Sequence, residues 1–249
     1  LSGKKAGFCP KKERRVWKMR TTDMADELFS GAAQPLPAGV RLATARHGGV
    51  TVTRVEVARE GLSRPRGRYV TLEMPSVSVL DERDAAVIEV CARELRALLP
   101  PEGPVLVLGV GNRRITADAL GPRTVQRLRP VAAVAPGVAA ATGLSLQQLT
   151  AALVGQLRPA AVVCVDSLCS AEGQRLGRTV QFSDSGLYPA QADHTRHLTR
   201  DTLGVPVVAA GIPTLMQAQE GADLVVTPRA LDSVIAHGAA LLAGSVNRA

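Results

Sequence analysis

The sequence predicts an α/β domain: a mostly parallel, twisted sheet with helices on both faces and an antiparallel hairpin near the N-terminus. Three observations carry this. Four continuous apolar runs, VLVLGVG (105–111), VAAVAPG (131–137), AAVVCVDS (160–167) and VPVVAAGI (205–212), suit strands buried on both faces. Helical stretches separate several of these runs, and strand–helix alternation implies crossover connections and parallel pairing. Ahead of them, VTVTRVEV (50–57) and RYVTLEM (68–74) alternate apolar and polar residues around a GLSRPRG turn, which is the pattern of a half-buried hairpin.

The elements follow in order. Residues 31–39 (GAAQPLPAG) form a Pro/Gly linker between an N-terminal tail and the body. From Asp81 to Leu99, Ala85, Ile88, Ala92, Leu95 and Leu99 recur at helical spacing. Asp81 is placed to cap that helix, and Pro100-Pro101 ends it. Further helices are expected over about 118–128 and over 145–157, where Ser145 caps. The last runs from Pro228, behind a Thr227 cap, to about Val246. VQFSDSG (180–186) adds a candidate strand.

Composition narrows the function classes. Of 249 residues 46% are apolar but only 2% aromatic, so the core rests on Val, Leu and Ala, and base-stacking nucleic-acid modules are disfavoured. The net charge of +8 is local: residues 1–20 hold eight basic residues and one acid, and the rest carry 22 basic and 21 acidic groups. The body is nearly neutral, so no basic nucleic-acid groove is expected, and the tail reads as a solvated extension. No apolar run is long enough for a membrane span, and no apolar stretch follows the basic start as a secretory signal requires. Cys9, Cys91, Cys164 and Cys169 lie in dissimilar contexts and read as reduced thiols of an intracellular protein. No ligand set for zinc accompanies them.

Ligands of open α/β sheets bind at the carboxyl ends of strands. Two acids fall there: Asp166 at the end of AAVVCVD, and Asp118 after the GVGN turn that ends VLVLGVG. They are either helix caps or a working pair, in which one ionised and one protonated carboxyl divide base and acid roles. The Gly109-Val110-Gly111-Asn112 turn is not a phosphate cradle. Arg114 breaks the dinucleotide fingerprint, and no Gly-Lys-Ser/Thr occurs. Its glycines instead allow a sharp turn. Asp184, in SDSG, is either cleft-lining or part of an ordinary turn. His47, His194, His197 and His237 sit at no strand end, which disfavours a Ser-His-Asp triad.

RGRYVTLE (66–73), LVLGVGNRRITADALGPRTV (106–125), VAPGVAAATGL (134–144), VDSLCS (165–170), QFSDSGLYP (181–189) and TLGVPVVAAGIPT (202–214) closely resemble the spore germination protease family of endospore-forming bacteria. The likeness is collinear from about residue 20 onward. It implies an endopeptidase, regarded as an atypical aspartic peptidase, that degrades small acid-soluble DNA-binding spore proteins in the spore core when spores germinate. It also implies Asp118 and Asp166 as the catalytic pair; Gly111, Asn112 and Asp184 are cleft-lining candidates on the residues alone. A homotetrameric, cytoplasmic enzyme made as an inactive zymogen is expected, with no cofactor, no direct nucleic-acid contact and no membrane. Family sites are cut after an acid and before an apolar residue. Thr22-Asp23-Met24-Ala25-Asp26-Glu27 looks like such a site, so cleavage between Asp23 and Met24 is expected. The chain then divides into a basic propeptide-like segment, 1–23, and one peptidase domain, 24–249. A scissile acid calls for a basic subsite, for which Arg113 and Arg114 are candidates. The fold is also expected to be similar to that of hydrogenase-maturation peptidases, which share a Gly-x-Gly-Asn turn before an Ala-Asp segment. A nickel-dependent peptidase of that kind and a non-catalytic sporulation protein are the alternatives.

Overall fold

The computed structural model describes residues 22–30, 35–80, 84–129, 131–137, 143–188, 197–218 and 224–249. The basic segment 1–20, Cys9, the Asp81 cap, His194 and the first part of the linker lie outside the described residues.

Nine strands form one mixed sheet among the described residues. They are β1 (Val40–His47), β2 (Val50–Val57), β3 (Gly67–Glu73), β4 (Val105–Gly109), β5 (Ala132–Val134), β6 (Ala161–Cys169), β7 (Thr179–Ser183), β8 (Val207–Gln217) and β9 (Val225–Val226). Their order is β1-β2-β3-β7-β8-β6-β4-β5, with β9 on β8. The apolar runs form the parallel half, β8-β6-β4-β5. The antiparallel part is larger than a hairpin: β1, β2, β3 and β7 pair in succession, and β7 pairs antiparallel with β8. The expected hairpin, β2–β3, is therefore interior, and the edge is β1, which alternation did not reveal. Only Val40 of β1 is buried, so this edge strand lacks an apolar face of its own. A Gly48-Gly49 step, with Gly48 at φ 60°, turns β1 into β2.

The helices are α1 (Ala25–Ser30), α2 (Ala85–Arg96), α3 (Leu120–Val125), α4 (Leu146–Leu157), α5 (Arg200–Leu203) and α6 (Leu231–Val246). On one face of the sheet, Ile88 and Leu95 of α2, Leu120 of α3 and Ile235 and Leu242 of α6 pack against Val107, Val163, Phe182 and Ile212. On the other, Val154 of α4 and Leu203 of α5 cover Leu106, Leu108 and Val162. Ala25 and Phe29 of α1 cover Val55, Val57 and Tyr69 of the antiparallel half. Helices on both faces make β6 buried from Ala161 to Val165, which is why its sequence is continuously apolar. No described helix is long and apolar enough to cross a membrane.

Boundaries differ where caps differ. Ser145 accepts from the Gln148 amide and Gln148 returns the contact, so α4 begins where the sequence places it. Asp84 occupies the N-cap of α2. The last helix starts at Leu231, one turn after Pro228, whose carbonyl accepts the Leu231 amide. The helix expected over 118–128 is a 3-10 turn, Thr116–Asp118, followed by the short α3.

Candidate active site

Asp118 is set by a glycine-dependent fold of the chain after β4. Gly111 has φ 114°, and a Cβ there would run into the Asp118 carbonyl oxygen. Gly121, at the start of α3, packs against the backbone of Val110 and Val165, so a side chain there would force α3 off the sheet. Thr214 Oγ1 on β8 donates to the Ala117 carbonyl at 2.8 Å and pins the 3-10 turn from the far side. The Asp118 carboxylate points back rather than forward: its Oδ2 accepts the Asn112 backbone amide at 2.7 Å. Asp118 is thus not the cap of α3, whose N-cap position is Ala119.

Asp166 lies within β6, between β4 and β8, and caps no helix. Its Oδ1 accepts the Ser167 amide at 2.8 Å. The β6–β8 register slips between Leu168 and Cys169, a bulge that ends regular pairing next to the site. Asp118, in the 3-10 turn that follows β4, and Asp166, in the carboxyl-terminal half of the adjacent parallel β6, therefore line one cavity of about 220 Å³. Burial raises the pKa of both. For Asp166 burial is the main cause, the Ser167 amide opposes it, and the Asp118 and Asp23 charges add to it, bringing the pKa to about 7. For Asp118 burial raises the pKa, and the Asn112 amide partly offsets the rise by stabilising the anion.

A third carboxylate lines the same cavity: Asp23, at the candidate cleavage site. Its amide donates to the Cys169 carbonyl at 2.8 Å and its Oδ2 accepts the Cys169 amide at 2.7 Å, so the segment extends along the end of β6. Burial raises the Asp23 pKa against the Cys169 hydrogen bond and the nearby Arg64 charge. Arg64 also lines the cavity and donates to the Thr22 carbonyl. The cation facing Asp23 is thus Arg64, from the turn before β3. Arg113 and Arg114 are exposed and outside the cavity lining.

Gly111 and Asn112 buttress Asp118 from behind and are not lining residues. Asp184 is turned away from the cavity toward β3. It lies outside the lining, with Oδ1 accepting the Arg68 amide and Oδ2 the Arg68 Nε, each at 2.6 Å. It staples β7 to β3. His197 packs at a tilt against Tyr188, with centroids 4.7 Å apart, while His237 lies on α6, across the sheet from α4 and α5. Among the described residues no three His, Cys, Asp or Glu side chains are grouped to hold a metal ion. Arg64 and Gln181 were not legible as site residues. One sits in a turn and the other in an ordinary strand, and only strand order brings them to the cavity.

Comparison with known proteins adds a relationship by descent. Residues 21–220 match the family model described as germination protease. The germination protease of Clostridium perfringens strain 13 is 34% identical over 200 residues, covering 68% of this chain and 60% of the relative. That of Priestia megaterium is 32% identical over 218 residues, covering 76% and 58%. That of Bacillus subtilis strain 168 is 34% identical over 201 residues, covering 69% and 55%. The chain spans between 55% and 60% of the length of these three curated relatives. Among solved structures, the NiFe hydrogenase maturation protease HycI of Thermococcus kodakarensis superimposes with a TM-score of 0.39 at 18% identity, over 61% of this chain and 98% of that one.

Proposed function

Since the chain belongs to the germination protease family, we propose that it is a spore-germination endopeptidase whose Asp118 and Asp166 together activate water on a peptide carbonyl. The observation that carries this reading is their shared cavity, beside adjacent parallel strands, with a third carboxylate from a sequence of cleavable type. Asp166, raised to about 7, is protonated below neutrality and is the acid. Asp118, whose anion the Asn112 amide stabilises, is the base. Asp118 takes a proton from water, and the hydroxide adds to the carbonyl carbon. The Asp166 proton passes to the departing amine as the C–N bond breaks, leaving a new carboxylate and a new amino terminus. The substrates are acid-soluble spore proteins, cut after an acid and before an apolar residue. The first cut is self-processing between Asp23 and Met24, which separates the basic segment from a zymogen.

Full-length protein carrying Asp118→Asn or Asp166→Asn, assayed on an acid-soluble spore protein, tests the pair. Each folded variant is expected to lose at least about 100-fold in kcat, in keeping with removal of a general acid or base. Cleavage by either variant at near wild-type rate would falsify the pairing.

A further inference from the structure

The stretch from Thr22 to Glu27 is held on both sides of the Asp23–Met24 bond by one side chain. Gln181 Nε2 donates to the Asp23 carbonyl oxygen at 2.8 Å, and Gln181 Oε1 accepts the Ala25 amide at 2.8 Å. Gln181 has little freedom to move. It is 7% exposed on an interior strand, in register with Thr71 on β3 and Gly211 on β8. A buried carboxamide is costly unless both its ends are satisfied, and here the chain entering α1 satisfies both, with the Asp23 carbonyl before the helix and the Ala25 amide at its first residue. Beyond the bond, Met24 and Ala25 are fully buried. The two acids that follow are each met. Asp26 Oδ2 takes Arg175 Nη1 at 2.6 Å, and its Oδ1 takes the Thr71 hydroxyl at 3.2 Å. Glu27 Oε2 accepts the Ala171 amide at 2.8 Å, and its Oε1 accepts the Ser170 hydroxyl.

We propose that these contacts are the peptide-reading register of the cleft. Gln181 holds the backbone across the scissile bond and donates to the carbonyl under attack, and Arg175 reads the acid three residues beyond the cut. An incoming substrate displaces residues 22–27 from the cleft and takes the path they take here. The inference rests on the peptidase reading and on cleavage at Asp23–Met24. When water adds to the Asp23 carbonyl, the negative charge forms on the oxygen that Gln181 already contacts. Loss of one such donor is typically worth about 100- to 1,000-fold in kcat.

The test uses full-length protein and the peptide RTTDMADELF, which is residues 20–29 of this chain. Wild type is expected to cut it between Asp and Met. Gln181→Met should lower kcat by about 100-fold with a smaller change in KM. Gln181→Glu, which keeps the acceptor and loses the donor, should show the same loss. Arg175→Met should raise KM and erase the preference for this peptide over its Asp26→Asn counterpart. Gln181 variants with kcat within about threefold of wild type would overturn the proposal, a margin far below the loss of an oxyanion donor. If wild type leaves the peptide uncut, the peptidase reading is what fails, and amide exchange then decides the clamp. In full-length Asp118→Asn protein the Ala25 amide should be protected, and adding Gln181→Met should remove that protection while Gln181→Glu retains it. Equal protection in all three proteins would show that Gln181 does not hold the segment.

Discussion

The Asn112 amide donates to Asp118 Oδ2 at 2.7 Å, so the turn that ends β4 also braces the carboxylate that follows it. Gly111 makes that turn possible, with φ 114° and no space for a Cβ against Asp118. Gly111→Ala is therefore expected to cost about 1–3 kcal/mol, from backbone strain and the clash. It should also reduce peptide cleavage far more than that loss of folded protein explains. Thermal melts together with assays well below the melting temperature separate the two. Full activity in folded Gly111→Ala would show that Asp118 does not depend on this turn.

The proposed division of labour sets a pH window. The acid must be protonated and the base ionised. Activity should therefore fall as pH rises through about 7, where Asp166 ionises, and fall again on the acid side as Asp118 takes up a proton. The acid limb should lie above the ordinary aspartate range, since burial raises Asp118 as well. A kcat/KM profile that stays flat from pH 5 to 9 would contradict the assignment of Asp166 as the acid; the bounds bracket roughly two units either side of its shifted value.

The same burial affects stability. Between the unfolded pKa near 3.8 and the folded value of about 7, the native state binds the Asp166 proton and the unfolded state does not. Stability thus falls as pH rises through this window and levels off above it. Asp166→Asn removes the ionisation, so its melting temperature relative to wild type should climb between pH 5 and 8. The gain should be on the order of 1–3 kcal/mol at the upper end. A constant difference across that range would mean that Asp166 is not the group that resists ionisation.

Arg175 joins four carboxylates, lying within 2.6 Å of Asp26, 3.5 Å of Glu27, 2.8 Å of Glu73 and 3.0 Å of Glu172. Asp26 and Glu27 have side chains only 3% exposed, so Arg175→Met leaves them buried without their cation. Removing one partner of such a group costs about 3–5 kcal/mol. Much of that cost should be relieved by undocking α1 rather than by unfolding the sheet. Thermolysin should then cut near Leu28 and Phe29 while the rest stays resistant. Unchanged protection of α1 would assign its docking to Ala25 and Phe29 packing alone.

Asp184 provides the contrast. Its partner Arg68 is half-exposed, and the pair lies outside the cavity. Asp184→Ala is expected to cost about 1 kcal/mol or less from the ion pair and to leave cleavage rates unchanged. A large loss of activity at normal stability would restore Asp184 to the cleft.

Much of the framework was legible because its signals are local. Ser145 and Gln148 lie three residues apart and cap α4 without outside help. Runs such as AAVVCV show burial on both faces in their own composition. β1 was not legible, because an edge strand with a single buried residue has no periodicity to detect. Asp118 read equally well as a cap, since whether an aspartate points forward to a helix or back to Asn112 depends on the turn geometry rather than on its neighbours' identities.

The sequence by itself determined the α/β class, the two acids that follow buried strands, and a cleavable-looking Thr-Asp-Met-Ala stretch. The tertiary structure decided which of these meet. Placing β6 between β4 and β8 brings Asp166 to Asp118, and the β3–β7 pairing draws Asp184 away to Arg68. Docking α1 against β2 and β3 carries Asp23 into the same cavity, where Arg64 and Gln181 wait on other elements. The physical reason is one of range. Periodicity, caps and turns are set by neighbours within a few residues, whereas convergence of side chains depends on strand order and register. Those are chosen by burial of the whole sheet between its helices.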